Sequence, residues 1–524
     1  MKSSPFAAIA IFVLSFSPAA ALRALELNSL FSENAVLQQE MPVPVWGTAQ
    51  AGEEITVTFA DQEKSTKTAP DGSWMVVLDP LVASAKAADL VVSSASGSVR
   101  SSGILVGEVW IGSGQSNMAF SVAGSLQAEA TAAAADKGEY STIRLFKVPV
   151  EGSDAPMKTV EAAWALPTAA NVSRFSATAF FFAAQLSKDR SVPVGIIQSA
   201  NGGTNAFSWV NSATLESDPA AEVIRDYWNT ALRGYPVAME RYKVALAKWK
   251  AKAIEAKKTG KKLQGTAPKE PLGPDHVKRP GGHYNAMIAP LQPFAMRGVI
   301  WYQGEANSRA PFNLGYRDLL FALVEDWRAD WAAAAPAGGG KTGERRDFPF
   351  YLVQLPNYGG GDPEGWPIIR EQMLRFWEEG KNTGMVVAID KGEADDIHPR
   401  DKQPIGERLA RFARANAYGE NIVYSGPIFD SLQIEGEKAI VSFTQKGSGL
   451  SSLDGNALTH FEVAGADGKY VPANAMIAGE TVVVKATGIP APRAVRYAWS
   501  ANPEGVNFGN KEGLPASPFR TDSW

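Results

Sequence analysis

The sequence predicts an α/β unit, a mostly parallel sheet with helices on both faces, set between two small β-sandwiches. Three observations predict it. Short strand-like runs separated by turn signals fill the chain from Leu25 to about Leu105. After Ile104, compact apolar runs alternate with segments of helical length, the rhythm of parallel strands buried by crossover helices. Beyond Asn421 the short-strand rhythm returns.

In the first region the strands are expected at 43–46, 55–59, 74–78 and 90–94, with turns at Ala51-Gly52 and Asp71-Gly72. In the middle, apolar runs at 109–111, 194–197, 298–302, 350–353 and 385–389 are the parallel strands. Segments 177–186, 316–331, 367–379 and 403–417 are the helices between and after them. The last region has strands at 439–443, 461–463, 481–485 and 494–499. The expected divisions are 1–21, 22–105, 106–420 and 421–524, with a Lys- and Ala-rich helical insertion at about 236–282 inside the third. The stretch 332–346 has the composition of a flexible loop.

At 524 residues the chain exceeds one ordinary hydrophobic core. Its 45% apolar and 20% charged content is globular, and a net charge of −4 with interspersed signs provides no basic field for nucleic acid. The absence of cysteine excludes disulfides, thiolate nucleophiles and thiolate-held metals. At the start, Lys2, an apolar run at 6–14 and Ala19-Ala20-Ala21 have the form of a cleaved signal peptide. The run falls short of the ~20 residues that span a bilayer, so export to the periplasm or the cell exterior is expected, without a transmembrane anchor.

Active residues of such a sheet belong at the carboxyl ends of its strands. There the sequence places polar, glycine-containing loops. Gly112-Ser-Gly-Gln-Ser-Asn117 follows the first strand, and its glycines allow a tight turn that holds Ser116 at the sheet's mouth. It is not a G-x-S-x-G elbow, since Met118 stands in the second glycine's place, and no P-loop is present. Gln198-Ser-Ala-Asn-Gly-Gly-Thr204 and Gln303-Gly-Glu-Ala-Asn307 follow later strands and offer backbone or amide N–H groups to a developing negative charge.

A serine nucleophile needs a base, and the chain has four histidines. His276 and His460 fall in regions that suit surface roles, and His283 suits a structural one. His398, in Asp395-Asp-Ile-His-Pro399, lies in a strand-to-helix loop. Asp395 can fold back to the imidazole in a turn. Asp396 shares its face in extended backbone, toward which Pro399 biases His398. Spacing leaves both acids open.

Together these loops resemble the conserved blocks of the SGNH hydrolase superfamily, and their wording resembles its sialate O-acetylesterase-like branch. The matching pieces are Gly114-Gln-Ser-Asn-Met118, Ser199-Ala-Asn-Gly-Gly-Thr204 with Trp209, Trp301-Tyr-Gln-Gly-Glu-Ala-Asn307, Trp366-Pro-Ile-Ile-Arg-Glu-Gln372, Asp396-Ile-His-Pro399 and the closing Gly513 to Asp522.

The resemblance implies a flavodoxin-like three-layer α/β/α catalytic unit with Ser116 as nucleophile and His398 as its base. It implies an oxyanion hole from the Ser116 backbone, a glycine of Gly202-Gly203 (Gly203 preferred), and Gln303 or Asn307, with Gln303 favoured at the strand end. The wider superfamily's Asp-x-x-His pattern points to Asp395, the branch's own Asp-Ile-His-Pro to Asp396, and some relatives orient the histidine by a backbone carbonyl. The implied activity is removal of acetyl groups from sugar hydroxyls through an acyl-serine, with no metal or organic cofactor. Trp209, Trp366 and Glu305 are the expected substrate contacts on an O-acetylated sugar or glycan. Two competing readings are a glycosidase pairing Glu305 with Asp395 or Asp396, which leaves Ser116 idle, and a non-catalytic carbohydrate-binding surface protein.

Overall fold

A computed structural model describes residues 24–263, 265–334 and 347–523; the expected signal segment 1–21 and most of the 332–346 stretch lie outside them. Six strands make the central sheet: β1 (Gly97–Gly114), β2 (Ile143–Lys147), β3 (Val194–Ala200), β4 (Gly298–Tyr302), β5 (Phe350–Gln354) and β6 (Thr383–Val387). They lie side by side in the order β2-β3-β1-β4-β5-β6, all parallel. A two-residue antiparallel strand, Trp164–Ala165, edges β2. Because the chain winds out to one side of β1 and then returns to the other, the winding reverses at β1. A crevice opens at such a reversal, beyond the carboxyl ends of the strands.

The helices α1 (Ala177–Arg190), α2 (Glu222–Thr259), α3 (Tyr316–Ala334), α4 (Gly365–Glu379) and α5 (Gln403–Asn416) complete the unit. Successive side chains of a strand point to opposite faces, and β5 shows what covers each. Phe350 meets Trp327 of α3 and Phe376 of α4, while Tyr351 meets Phe412 of α5. Helices therefore lie on both faces. Every residue of β3, β4 and β5 is buried, which accounts for their unbroken apolar runs.

Beta structure flanks the unit on both sides. On the N-terminal side a three-stranded sheet (Glu26–Leu27, Val43–Thr48, Ser73–Leu78) accompanies strands Glu54–Phe59, Gln62–Lys67 and Ser84–Ser94. The last of these pairs with the first half of β1. β1 thus runs unbroken through residues 105 and 106 and belongs to both regions. Where it crosses, buried Glu108 accepts hydrogen bonds from Gln38, Gln39 and Arg297, so the carboxylate is compensated. On the C-terminal side, Phe443 of one sheet packs 5.8 Å from Phe519 of another, with Phe461, Tyr497 and Phe508 around them.

Two expectations need correction. The insertion helix α2 begins at Glu222, not near 236, and passes through Pro236. Only Ile224 of it is buried, so solvent can satisfy the carbonyl that the proline deprives of its intrahelical partner. Strands β2 and Gln62–Lys67 were not anticipated, because Arg144 and Lys147 break up the apolar run of the first and the second, Gln-Glu-Lys-Ser-Thr-Lys, has no apolar residue. Among the described residues no helix is long and apolar enough to cross a membrane.

Candidate active site

β1 ends at Gly114, whose φ of +133° and closeness to β4 leave no room for a side chain: a Cβ there would sit 2.2 Å from the Tyr302 carbonyl oxygen. Gln115 N–H donates to that same oxygen at 2.9 Å, and the chain turns at once into the single helical turn Ser116–Ala119. Ser116 is the first residue of that turn, where backbone N–H groups have no intrahelical acceptor. Met118 is fully buried beneath the turn, against Gly112, so this position packs the loop onto the sheet where an elbow would have a glycine.

The loop after β3 closes on the same turn. Asn201 N–H donates to Gly114 O, and a Cβ on Gly202 would stand 3.5 Å from Ser116 Cβ. Gly202 is therefore the glycine lying against the serine. Gly203, the expected donor, is exposed in the left-handed region, and its carbonyl accepts from Lys278 Nζ at 3.2 Å. Behind this loop His283 is wholly buried, its Nδ1 bonded to Glu151 O and its Nε2 to Asn201 Nδ2. Burial pushes it down to about 4, so it stays neutral and structural.

After β4 the amides divide their work. Gln303 Nε2 donates to Gln115 Oε1, Thr204 O and Asn307 Oδ1, and its Oε1 accepts from the Tyr316 hydroxyl. That amide is fully occupied in tying three loops together. Asn307 Oδ1 accepts from Gln303 and from Ala206 N–H, while its buried Nδ2 has no acceptor among the described residues.

The loop beyond β6 brings His398 to this rim. Asn117 Nδ2 donates to Ile397 O at 2.9 Å, joining the residue after Ser116 to the residue before His398. The imidazole stacks on Phe120, ring centres 6.3 Å apart. Asp396 Oδ1 accepts from the His398 backbone N–H at 2.8 Å and lies 3.6 Å from Nδ1; Asp395 is exposed and has no bond to the imidazole. Partial burial lowers the affinity of His398 for its proton, Asp396 opposes this, and Lys402 adds to it.

The three expected substrate contacts lie in the interior instead. Trp209 is fully buried, its Nε1 donating to Thr204 Oγ1 and its ring against His283 and Trp301. Trp366 is 2% exposed and donates to Pro356 O. Both rings are core, where their large apolar area is best used. Glu305 is buried too, Oε1 accepting from Asn117 Nδ2 at 2.5 Å, and burial raises its carboxyl above the usual range. A carboxylate held under Asn117 is not open to a sugar, which removes the paired-carboxylate reading. Sequence inspection passed over Lys402, whose buried ammonium donates to Asn117 Oδ1. A lysine four residues after the histidine, at the start of an amphipathic helix, gave no reason to expect burial.

A half-buried hydroxyl, an imidazole biased toward its neutral form, a carboxylate beside it and unpaired N–H groups at one rim are the parts that nucleophilic acyl transfer requires. No family model matches the chain. It is 29% identical to a sialate O-acetylesterase of Mus musculus, over 93% of this chain and 93% of that one. With the sialate O-acetylesterase of Homo sapiens the identity is 28%, over 94% and 91%. Among solved structures, a carbohydrate acetylesterase from Xanthomonas citri is 34% identical with a TM-score of 0.78, covering 95% of this chain and 100% of that one. By whole-length likeness in sequence and in structure, the chain belongs to the sialate O-acetylesterase-like family of carbohydrate acetylesterases and is a carboxylic-ester hydrolase.

Proposed function

We propose that the protein is an exported O-acetylesterase that removes acetyl groups from sugar hydroxyls through an acyl-serine, on an SGNH-type three-layer unit between two β-sandwiches. The observation that carries this reading is the Asn117–Ile397 bond, which holds the Ser116 turn against the histidine loop while Asp396 stands beside Nδ1. Ser116 Oγ attacks the acetyl carbonyl as His398 takes its proton. The imidazolium then returns that proton to the departing sugar oxygen, and water, deprotonated by the same imidazole, releases acetate. The oxyanion is met by the Ser116 N–H, the Gly202 region and Asn307 Nδ2, the amide that still has a hydrogen to give. The signal-like start supports export. The names of the relatives support a sugar substrate.

A serine-directed phosphonate tests the mechanism. Labelling confined to the peptide holding Ser116, blocked by an acetylated sugar, is the expected result; a protein that hydrolyses acetate esters but is never labelled there would refute the acyl-serine.

The two acids separate by substitution. Asp396→Asn is expected to lower kcat about tenfold, modest for an orienting acid because its side chain is 51% exposed and water partly replaces it. The acid limb of the kcat/KM profile should also move to lower pH, since Asp396 raises the imidazole's proton affinity and its removal lowers it. Asp395→Asn should change neither. The check is the pH profile of both variants.

A further inference from the structure

Lys402 has no task in the mechanism above, yet it is tied to both loops that perform it. It stands at the start of α5, wholly buried, with its ammonium 5.2 Å from the ring centres of Phe120 and Tyr302. Its bond to Asn117 Oδ1 is one side of a bridge; on the other, Asn117 Nδ2 donates to Glu305 Oε1 and to Ile397 O. The second oxygen of Glu305, Oε2, is buried without a hydrogen-bond partner among the described residues. An ammonium and a carboxylate, both withdrawn from water, thus face each other across one amide. That amide belongs to the residue next to Ser116 and is bonded to the residue next to His398. Burying such charges is a poor device for stability, because desolvation offsets much of their attraction. Their position suits a different purpose.

We propose that Lys402 is a positioning residue for the reaction: through Asn117 it fixes the Ser116 turn against the histidine loop, and its charge keeps the imidazole in its proton-accepting form. The proposal rests on the Ser116–His398 reading. The Phe120 ring neighbours both groups: it stacks on His398, and the ammonium stands 5.2 Å from its centre. Facing Lys402 are Glu305 from the turn after β4, Glu393 and Asp396 from the loop after β6, and neighbouring Asp401, itself 3.3 Å from Lys391. Burial pulls the ammonium down to about 7, against these four carboxylates. Facing His398 are Asp396, which favours its protonation, and Lys402, which opposes it. Below about pH 7 the ammonium is charged and disfavours a second positive charge on the imidazole. Above that pH the proton leaves and the opposition ends.

The test uses the full chain with Lys402→Met, which removes both charge and donor, and Lys402→Gln, whose amide can still donate to Asn117. Imidazole titration is followed by NMR and hydrolysis of 4-nitrophenyl acetate as a function of pH. In both variants His398 should titrate at higher pH than in the parent, and the acid limb of kcat/KM should follow it upward. Lys402→Met should also lose roughly tenfold in kcat with KM within about twofold, and Lys402→Gln less. The limb shift is the readout that a merely structural lysine would not move. A folded variant with His398 titration and acid limb unchanged overturns the proposal, and so does failure of both variants to fold, which would assign Lys402 to the fold alone. Ser116→Ala in the same assay reports on the esterase reading separately. If that variant stays active the acyl-serine falls, while the NMR titration still decides the role of Lys402.

Discussion

Ser116→Ala is expected to lower kcat for acetate release by roughly 10⁴- to 10⁶-fold, with little change in substrate affinity or melting temperature. Ser116 is the half-buried first residue of its turn, and its Oγ has one weak side-chain contact, from Gln115 Nε2 at 3.4 Å. Losing that contact costs the fold almost nothing. On the proposed mechanism the chemistry loses far more, because His398 would then have only water to activate and no acyl-enzyme could form. The oxyanion donors remain, so a residual rate above the uncatalysed reaction is expected. Steady-state kinetics on an acetylated sugar, with thermal unfolding of the same preparation, checks this. Activity within tenfold of the parent in a folded Ser116→Ala protein would remove the serine from the mechanism.

The central unit was legible in sequence because its strands are buried on both faces. Gly298–Tyr302 and Phe350–Gln354 have no solvent side and so appear as unbroken apolar runs; α3, α4 and α5 follow with amphipathic spacing, and α1 as an apolar stretch of helical length. The loops bearing Ser116 and His398 stood out for the same reason: each polar stretch begins where an apolar run stops. What was not legible is what depends on the third dimension. An aromatic residue near a polar loop looks the same in sequence whether it lines a cleft or fills a core, and Trp209 and Trp366 fill the core. Glu305 looks like a free acid until Asn117, far away in sequence, is seen above it. The choice between Gln303 and Asn307 turned on hydrogen-bond bookkeeping that strand position does not predict, since Gln303 has three acceptors around one amide nitrogen.

Trp366-Pro-Ile-Ile-Arg370 belongs with these, and its purpose is read from Arg370. That guanidinium is 0% exposed and meets no carboxylate among the described residues; it donates to four backbone carbonyls, of Leu355 and Pro356 beyond β5 and of Ser500 and Ala501 in the C-terminal region. Burial lowers its pKa to about 9, so it remains a cation at neutral pH. One side chain on α4 therefore clamps the central unit to the β structure that follows it, helped by Gln354 Nε2 donating to Ser517 Oγ. Arg370→Met keeps much of the length and apolar volume but strands the carbonyls. A buried acceptor left unsatisfied costs on the order of 1–3 kcal/mol, and partial relaxation of four brings the expected loss to about 3–5 kcal/mol. In a protein of 524 residues that is a fall of roughly 3–5 °C in Tm. Because the lost bonds lie between two regions, the C-terminal one should also become open to proteolysis before the central unit unfolds. Arg370→Lys should recover only part of the loss, since an ammonium has three donors and lacks the planar fork that reaches all four oxygens. A melting temperature within a degree or two of the parent, with an unchanged digestion pattern, would mean that the two regions are held together by their apolar contacts and that the guanidinium contributes little.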